Sequence, residues 1–281
     1  MRLLVTGGNG LLGREIVEVF RPRFDLRVTD LAELDVTDAA AVNALVARVR
    51  PDVVFNATAY NRVDAAESEP ERAFAVNALA PRTLALAARE AGALLVHVST
   101  DYVFDGALAR PYREDDPAQP LSVYGASKLA GEREVLVSAA ESLVVRTSGV
   151  LGRRGTAQKG GSFVDRILAR ARAGQPLRVV TDQVFAPTSA GELAGALVAL
   201  VRLGARGLCH VTNEGSCSWH ELATAALAAA GLEPQVQAIT ARELMLPARR
   251  PAYSVLDGSR ARALGLPPLR HWQDALAELV A

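Results

Sequence analysis

The stretch Leu3-Leu4-Val5-Thr6-Gly7-Gly8-Asn9-Gly10-Leu11-Leu12-Gly13 decides the fold. An apolar run of strand character ends in a glycine-rich turn, and a helical pattern over 11–20 follows at once. Strand, glycine turn and helix in that order form the setting of a dinucleotide site. Glycines let the backbone approach a pyrophosphate, and the start of a helix offers unpaired N–H groups and a positive dipole end. Gly7, Gly10 and Gly13 give the spacing Gly-x-x-Gly-x-x-Gly, where the commoner fingerprint is Gly-x-Gly-x-x-Gly. A tight turn without a ligand is the alternative reading.

The same alternation continues outward. Strand patterns at 26–30, 51–56, 94–100 and 143–148 are separated by helical ones, the first ending at Val49 and the second covering 70–91. Strands alternating with helices predict an α/β protein, a Rossmann doubly wound parallel sheet. The second strand ends in Asp30, placed to accept from the adenine ribose hydroxyls and favour NADH, while Arg14 could instead meet the 2′-phosphate of NADPH. Asp35 falls where it could approach the adenine, and Thr37 or Asp38 could cap the next helix. The third strand runs into Thr58, Ala59 and Tyr60 at its carboxyl end, where open parallel sheets hold ligands. Asn77 sits inside the helical pattern that follows, although Asn is a poor helix former. It bonds to backbone near the site or it faces solvent.

Tyr124-Gly125-Ala126-Ser127-Lys128 carries the chemistry. Residues four apart share a helix face, so the phenol and the ammonium can enter one cleft. A nearby ammonium favours phenolate and pulls the tyrosine towards the working range of a proton donor. The fourth strand ends in Thr100 and Asp101, and a hydroxyl there could hold a carbonyl oxygen near Tyr124.

Beyond Ser148 the pattern becomes shorter and mixed, which predicts a small C-terminal α/β lobe over the carboxyl edge of the sheet; the family resemblance given below makes it the substrate lobe. The expected division is 1–150 for dinucleotide binding and 151–281 for substrate, with segments returning to the first part. The stretch 152–161 holds Arg153, Arg154 and Lys159 with no acid, and reads as a surface loop or a phosphate clamp. Ser218 with Glu221 has the spacing of a capping box.

Composition excludes other classes. Charge balances at 31 basic and 31 acidic residues in a 281-residue chain, giving no drive towards nucleic acid or anionic membrane. No apolar run reaches membrane-spanning length, and the first residues read as a strand and not as a signal peptide. Cys209 and Cys217 are too few for a disulfide framework and read as reduced thiols of a cytoplasmic protein.

With the three glycines, Ser99-Thr100-Asp101 and Tyr124/Lys128 in place, the chain resembles an extended short-chain dehydrogenase/reductase. More narrowly it resembles the dTDP-4-dehydrorhamnose reductase family, through 56–60 with 63–67, 99–104, 146–148, Asp182-Gln183 with Ala186-Pro187-Thr188, and 248–251 with Ser254 and Leu256. The resemblance implies NADPH- or NADH-dependent reduction of the C4 ketone of dTDP-4-dehydro-L-rhamnose, or of another dTDP-4-keto-6-deoxysugar, by a monomer or homodimer. It makes Thr100, Tyr124 and Lys128 the catalytic residues. Gly7, Asn9 to Gly13, Asp30, Asp35, Val36, Thr58 to Tyr60 and Asn77 would line the cofactor, together with Tyr124 and Lys128. Thr100, Asp101, Val103, Phe104, Gly149, Gln183 and Arg250 would face the nucleotide sugar.

One position departs from the family. After Arg146-Thr147-Ser148 a tryptophan commonly stands against the substrate, and this chain has Gly149. The pocket is then more open, or something else fills it. Some members hold magnesium between subunits; Glu15 and Glu192 fall at such positions without a clear third acid, so surface carboxylates are the preferred reading. Dehydratases of the superfamily need an Asp-Glu pair where Asp101 is followed by Tyr102, and the epimerase-reductases that make GDP-fucose need a cysteine that this strand end lacks. A non-catalytic binding protein, of the methionine adenosyltransferase regulatory-subunit type, shares the fold and stays open as the alternative class.

Overall fold

Alternate residues of the first strand enter two different cores. The structure, a computed structural model, describes residues 1–152, 161–233 and 235–281. In β1 (Arg2–Thr6), Leu3 and Val5 pack with Ile16 and Phe20 of α1 (Leu11–Phe20). Leu4 points the other way, to a cluster with Val42, Leu45 and Val46 of α2 (Ala39–Val49). Side chains alternate across a strand, so a run of apolar residues is what a sheet covered on both faces requires.

β2 (Asp25–Thr29) and β3 (Val53–Asn56) flank β1, β4 (Leu94–Thr100) joins β3, and β5 (Ser142–Thr147) joins β4, all in parallel. The chain therefore leaves β1 in one direction and returns on its other side at β3. That reversal is a topological switch point, where a crevice opens off the strand ends. Asp38 caps α2 by accepting from the Ala41 N–H at 3.0 Å. The pattern over 70–91 forms α4 (Pro70–Phe74), which follows the short α3 (Val63–Ala66), then one wider π turn, Ala75–Leu79, and α5 (Ala80–Glu90). A π turn inside a helix commonly marks a functional site. Here it carries Asn77. Helix α6 (Val123–Ser138) completes the second face, contributing Val135.

The rest of the chain is more broken. β6 (Val150–Leu151), α7 (Phe163–Arg172), β7 (Leu177–Val180), β8 (Val184–Phe185) and β9 (Thr188–Ser189) lead to α8 (Ala190–Arg202). Leu193 and Leu197 of α8 share the core of α1, and β10 (Gly207–His210) pairs with β5 as the sixth parallel strand. β11 (Cys217–Ser218) pairs antiparallel with β8, ahead of α9 (Trp219–Ala229). β12 (Val236–Ile239) lies parallel to β7. Ser218 and Glu221 form the reciprocal cap of α9, at 3.1 and 2.7 Å. Val164, Ile167, Leu177, Phe185, Leu222 and Trp272 build this part's own core. Arg153, Arg154 and Lys159, read as a loop or clamp, lie outside the described residues.

Candidate active site

The ends of β1, β3 and β4 open into one continuous cleft of about 1530 Å³. At one end is the glycine turn. Gly7 has φ +76°, and a Cβ on Gly13 would stand 2.0 Å from the Gly7 carbonyl oxygen, so the turn closes only without those side chains. Gly13 serves that packing, while Gly7, Asn9, Gly10, Leu11 and Leu12 line the cleft. The N-cap of α1, Gly10, supplies no side-chain hydrogen bond and the first turn holds no acid. The N–H groups of that turn are left to bind an anion.

Asp30 accepts from the Asn9 N–H at 2.7 Å and from the Leu31 N–H at 2.8 Å, which fixes its carboxylate against the turn. Asp35 accepts from the Thr37 hydroxyl and N–H, and these bonds hold its carboxyl below the usual range. Asp35, Val36, Thr58, Ala59 and Tyr60 line the same end. Asn77 does not. Its side chain, fully buried, accepts from the Tyr60 N–H at 2.8 Å and donates to the Tyr60 carbonyl at 3.0 Å, so it holds this wall from behind. The backbone-bonding reading of Asn77 is the correct one. Among the described residues, the buried hydroxyls Thr58 Oγ1 and Thr147 Oγ1, both on cleft-lining residues, have no hydrogen-bond partner. Such orphans cost about 1–3 kcal/mol each, and a polar ligand would satisfy them. The turn, the free helix end and these hydroxyls fit a dinucleotide.

Thr100, Tyr124 and Lys128 all line this cleft. Ser122 caps α6 through the Gly125 N–H at 3.1 Å, and Glu67 accepts from the Val123 N–H at 2.9 Å, so the helix start is pinned from two sides. Tyr102 stands edge-on to Tyr124, with ring centroids 6.0 Å apart. Burial pushes the Tyr124 phenol up to about 12; Asp101 acts in the same direction, and the Thr100 hydroxyl opposes it. Lys128, only 2 % exposed, donates to the Val98 carbonyl at 2.7 Å and lies 3.4 Å from His97 Nε2. Burial pulls its ammonium down to about 8, against the pull of Glu132. Burial and the Lys128 charge hold His97 well below its ordinary range. The sequence suggests that Lys128 lowers the phenol. In this arrangement Lys128 turns to Val98 and His97, and desolvation sets the phenol.

The Thr100 hydroxyl donates to Asp101 Oδ1 at 3.0 Å, while Ser148 and Ser254 donate to Asp101 Oδ2 at 2.7 and 2.6 Å. Burial raises the Asp101 carboxyl, and the three hydroxyls pull the other way. Of the expected substrate residues, Thr100, Asp101, Gly149, Gln183 and Arg250 line the cleft. Arg250 reaches it clamped by Asp64, at 3.0 and 2.7 Å. Val103 and Phe104 are placed differently. After a single tight turn, Asp101–Val103, both side chains bury fully against Tyr112, Leu129 and Leu256, and neither lines the cleft.

At Gly149, φ +49°, a Cβ would lie 2.1 Å from Phe185 Cε2. Phe185 stacks on Trp219 at 4.1 Å between centroids, and Phe163 meets Trp219 edge-on at 4.7 Å. These three rings line the cleft and have no counterpart in the sequence reading. Phe185 falls between the quoted Asp182-Gln183 and Ala186-Pro187-Thr188, and Trp219 directly follows the cap residue Ser218, but no local spacing joins them to Gly149.

Among the described residues no group of three or more His, Cys, Asp or Glu is arranged to hold a metal. Glu192 accepts from Asn213 at 2.9 Å and from Arg270 at 2.6 Å, and a carboxylate taken by a guanidinium is a poor magnesium ligand. No helix among them is long and apolar enough to cross a membrane.

A family model described as RmlD substrate binding domain matches residues 1–281. A dTDP-4-dehydrorhamnose reductase of Streptomyces griseus is 45% identical, covering 99% of this chain and 92% of its own. A probable dTDP-4,6-dihydroxy-2-methyloxan-3-one 4-ketoreductase of Streptomyces antibioticus is 42% identical, covering 99% of this chain and 94% of its own. Among solved structures, a dTDP-4-dehydrorhamnose reductase of Bacillus anthracis in complex with NADP superposes with a TM-score of 0.95 at 33% identity, covering 99% of this chain and 98% of that one. The chain belongs to the RmlD substrate binding domain family.

Proposed function

We propose that this chain is an NAD(P)H-dependent reductase that converts the C4 ketone of dTDP-4-dehydro-L-rhamnose to the alcohol of dTDP-L-rhamnose. The observation that carries this reading is the meeting of Thr100, Tyr124 and Lys128 in one cleft with the glycine turn of β1. The names of full-length relatives support it. The streptomycete 4-ketoreductase keeps a second dTDP-linked ketosugar in view as the substrate.

The reduced nicotinamide supplies the hydride when bound. Gly7, Asn9, Gly10, Leu11 and Leu12 hold its pyrophosphate, with Asp30, Asp35, Val36 and Thr58 to Tyr60 along the nucleoside; Gly13 and Asn77 shape that site from beneath. Tyr124 gives its proton to the C4 oxygen, which a phenol kept neutral by burial is suited to do. Thr100 turns its hydroxyl from Asp101 to the same oxygen and orients the carbonyl. Lys128 binds the nicotinamide ribose and keeps a positive charge behind the phenol as negative charge develops there. Gln183, Arg250 and the wall at Gly149 face the sugar nucleotide. Residues 1–150 thus act as the cofactor part and 151–281 as the substrate part, with α8 and β10 returning to the first. The free, buried Cys209 and Cys217 support a reducing cytoplasmic setting.

The test is loss of reduced-nicotinamide absorbance on mixing the chain with NADPH or NADH and dTDP-4-dehydro-L-rhamnose, with the product identified by mass and chromatography. Formation of dTDP-L-rhamnose is expected. Tight NADPH binding without turnover of any nucleotide ketosugar would assign a binding role instead.

A further inference from the structure

We infer that Phe185, stacked on Trp219, is the substrate-facing wall in the place that residue 149 leaves vacant, and that it decides which 4-ketosugar this chain accepts. Positions 149 and 185 compete for one volume. A Cβ on Gly149 would come within 2.1 and 2.4 Å of two Phe185 ring carbons, closer than any real contact. Gly149 also sits at φ +49°, where a side chain is strained. The space that a large residue at 149 would use is therefore taken from the opposite side.

The ring that takes it is held firmly. Phe185 is 4 % exposed, its strand pairs with β11 through Cys217, and its face lies on Trp219 with planes 28° apart. Phe163 supports Trp219 edge-on. All three rings line the cleft. A rigid aromatic surface of this kind recognises shape at little entropic cost.

Its position points to the sugar. Gly149 follows Ser148, whose hydroxyl is bonded to Asp101, and Asp101 is bonded in turn to Thr100. The wall thus abuts the reacting end of the cleft. A 6-deoxyhexose offers such a wall an apolar C–H face and a methyl group, and its epimers differ in which of these they turn towards it. A hydrophobic surface discriminates between such shapes by roughly 10–200-fold.

This inference rests on the ketosugar reductase reading, and the experiment separates the two. Wild type, Phe185→Ala, Phe185→Leu and Phe185→Tyr are assayed with NADPH on dTDP-4-dehydro-L-rhamnose and on dTDP-4-dehydro-6-deoxy-D-glucose. For Phe185→Ala the ketosugar KM is expected to rise about tenfold or more, the preference between the two sugars to narrow, and the NADPH KM to stay within about twofold. Phe185→Tyr, which keeps the ring, is expected to recover most of both sugar parameters. If Phe185→Ala does not fold, Phe185→Leu carries the comparison. An active wild type whose sugar KM and sugar preference survive loss of the ring overturns the wall alone. An inactive wild type overturns the reductase reading, and the wall with it.

Discussion

Asn77 Nδ2 donates to Ser127 Oγ at 3.0 Å, which joins the π turn before α5 to α6 between Tyr124 and Lys128. The same amide binds the Tyr60 N–H and carbonyl in the cleft wall. One buried side chain thus ties the Tyr60 wall of the cleft to the helix that carries Tyr124 and Lys128.

Asn77→Ala should separate those two elements from each other. It removes the partner of both Tyr60 backbone groups, while Ser127 keeps its bond to the Tyr124 carbonyl, so unfolding stability should fall by about 1–3 kcal/mol, and NADPH should bind more weakly. Urea unfolding and fluorescence titration measure the two effects. A wild-type midpoint with wild-type affinity would show that the amide braces neither side.

Behind the site, Arg146 holds Glu132 bidentately at 2.9 and 2.7 Å, with Ser99 donating to the same carboxylate at 2.5 Å and the guanidinium 5.0 Å above the Phe104 ring. Both side chains are buried, at 4 and 2 % exposure. Removing one partner strands a charge, so Glu132→Leu alone should cost about 3–5 kcal/mol, while Glu132→Leu with Arg146→Met together should cost clearly less than the sum of the two singles. Chemical denaturation of the four proteins decides it. Additive losses would mean that the pair is not coupled.

How far these features can be read in advance follows their sequence range. The β-α alternation, the Gly7 to Gly13 turn and the Tyr124/Lys128 spacing are local patterns, and the structure carries each of them. Strand pairing is not local, so the seating of 207–210 beside β5 had no sequence signal. Asn77 was ambiguous because helix propensity says only that it is unusual, not where its amide goes. Val103 and Phe104 followed Thr100 in a quoted motif, yet one tight turn sends them into the core, where Phe104 stacks on Tyr112 at 4.1 Å. The Phe185–Trp219 wall depends on three distant segments meeting, and Gly149 pointed only to a gap.

The pH profile should be set by Lys128. Its ammonium titrates at about 8 while the phenol stays protonated up to about 12. As pH rises through about 8 the Lys128 charge is lost from the cleft, so kcat/KM for reduction should fall there. In Lys128→Arg, which keeps its charge, the alkaline limb should move upward in whatever activity remains. Because Lys128 titrates lower when folded than its ordinary 10.5, the unfolded chain holds more protons between those values, and this group's contribution to stability rises with pH across that window. A flat kcat/KM from pH 7 to about 10 would contradict the assignment.

Asp30→Ala removes the acceptor that binds the Asn9 N–H and faces the cleft. The ratio of the NADH and NADPH Michaelis constants should shift towards NADPH, since a carboxylate favours ribose hydroxyls and repels a 2′-phosphate. An unchanged ratio would take Asp30 off the ribose.

The central claim is that Tyr124 delivers the proton in reduction of a nucleotide ketosugar, and one comparison tests it most directly. Wild type and Tyr124→Phe are titrated with NADPH and then assayed with saturating dTDP-4-dehydro-L-rhamnose. The account predicts equal cofactor affinity and a kcat in the variant lower by about 10²–10⁴-fold. A variant that binds NADPH normally and turns over near the wild-type rate would contradict it.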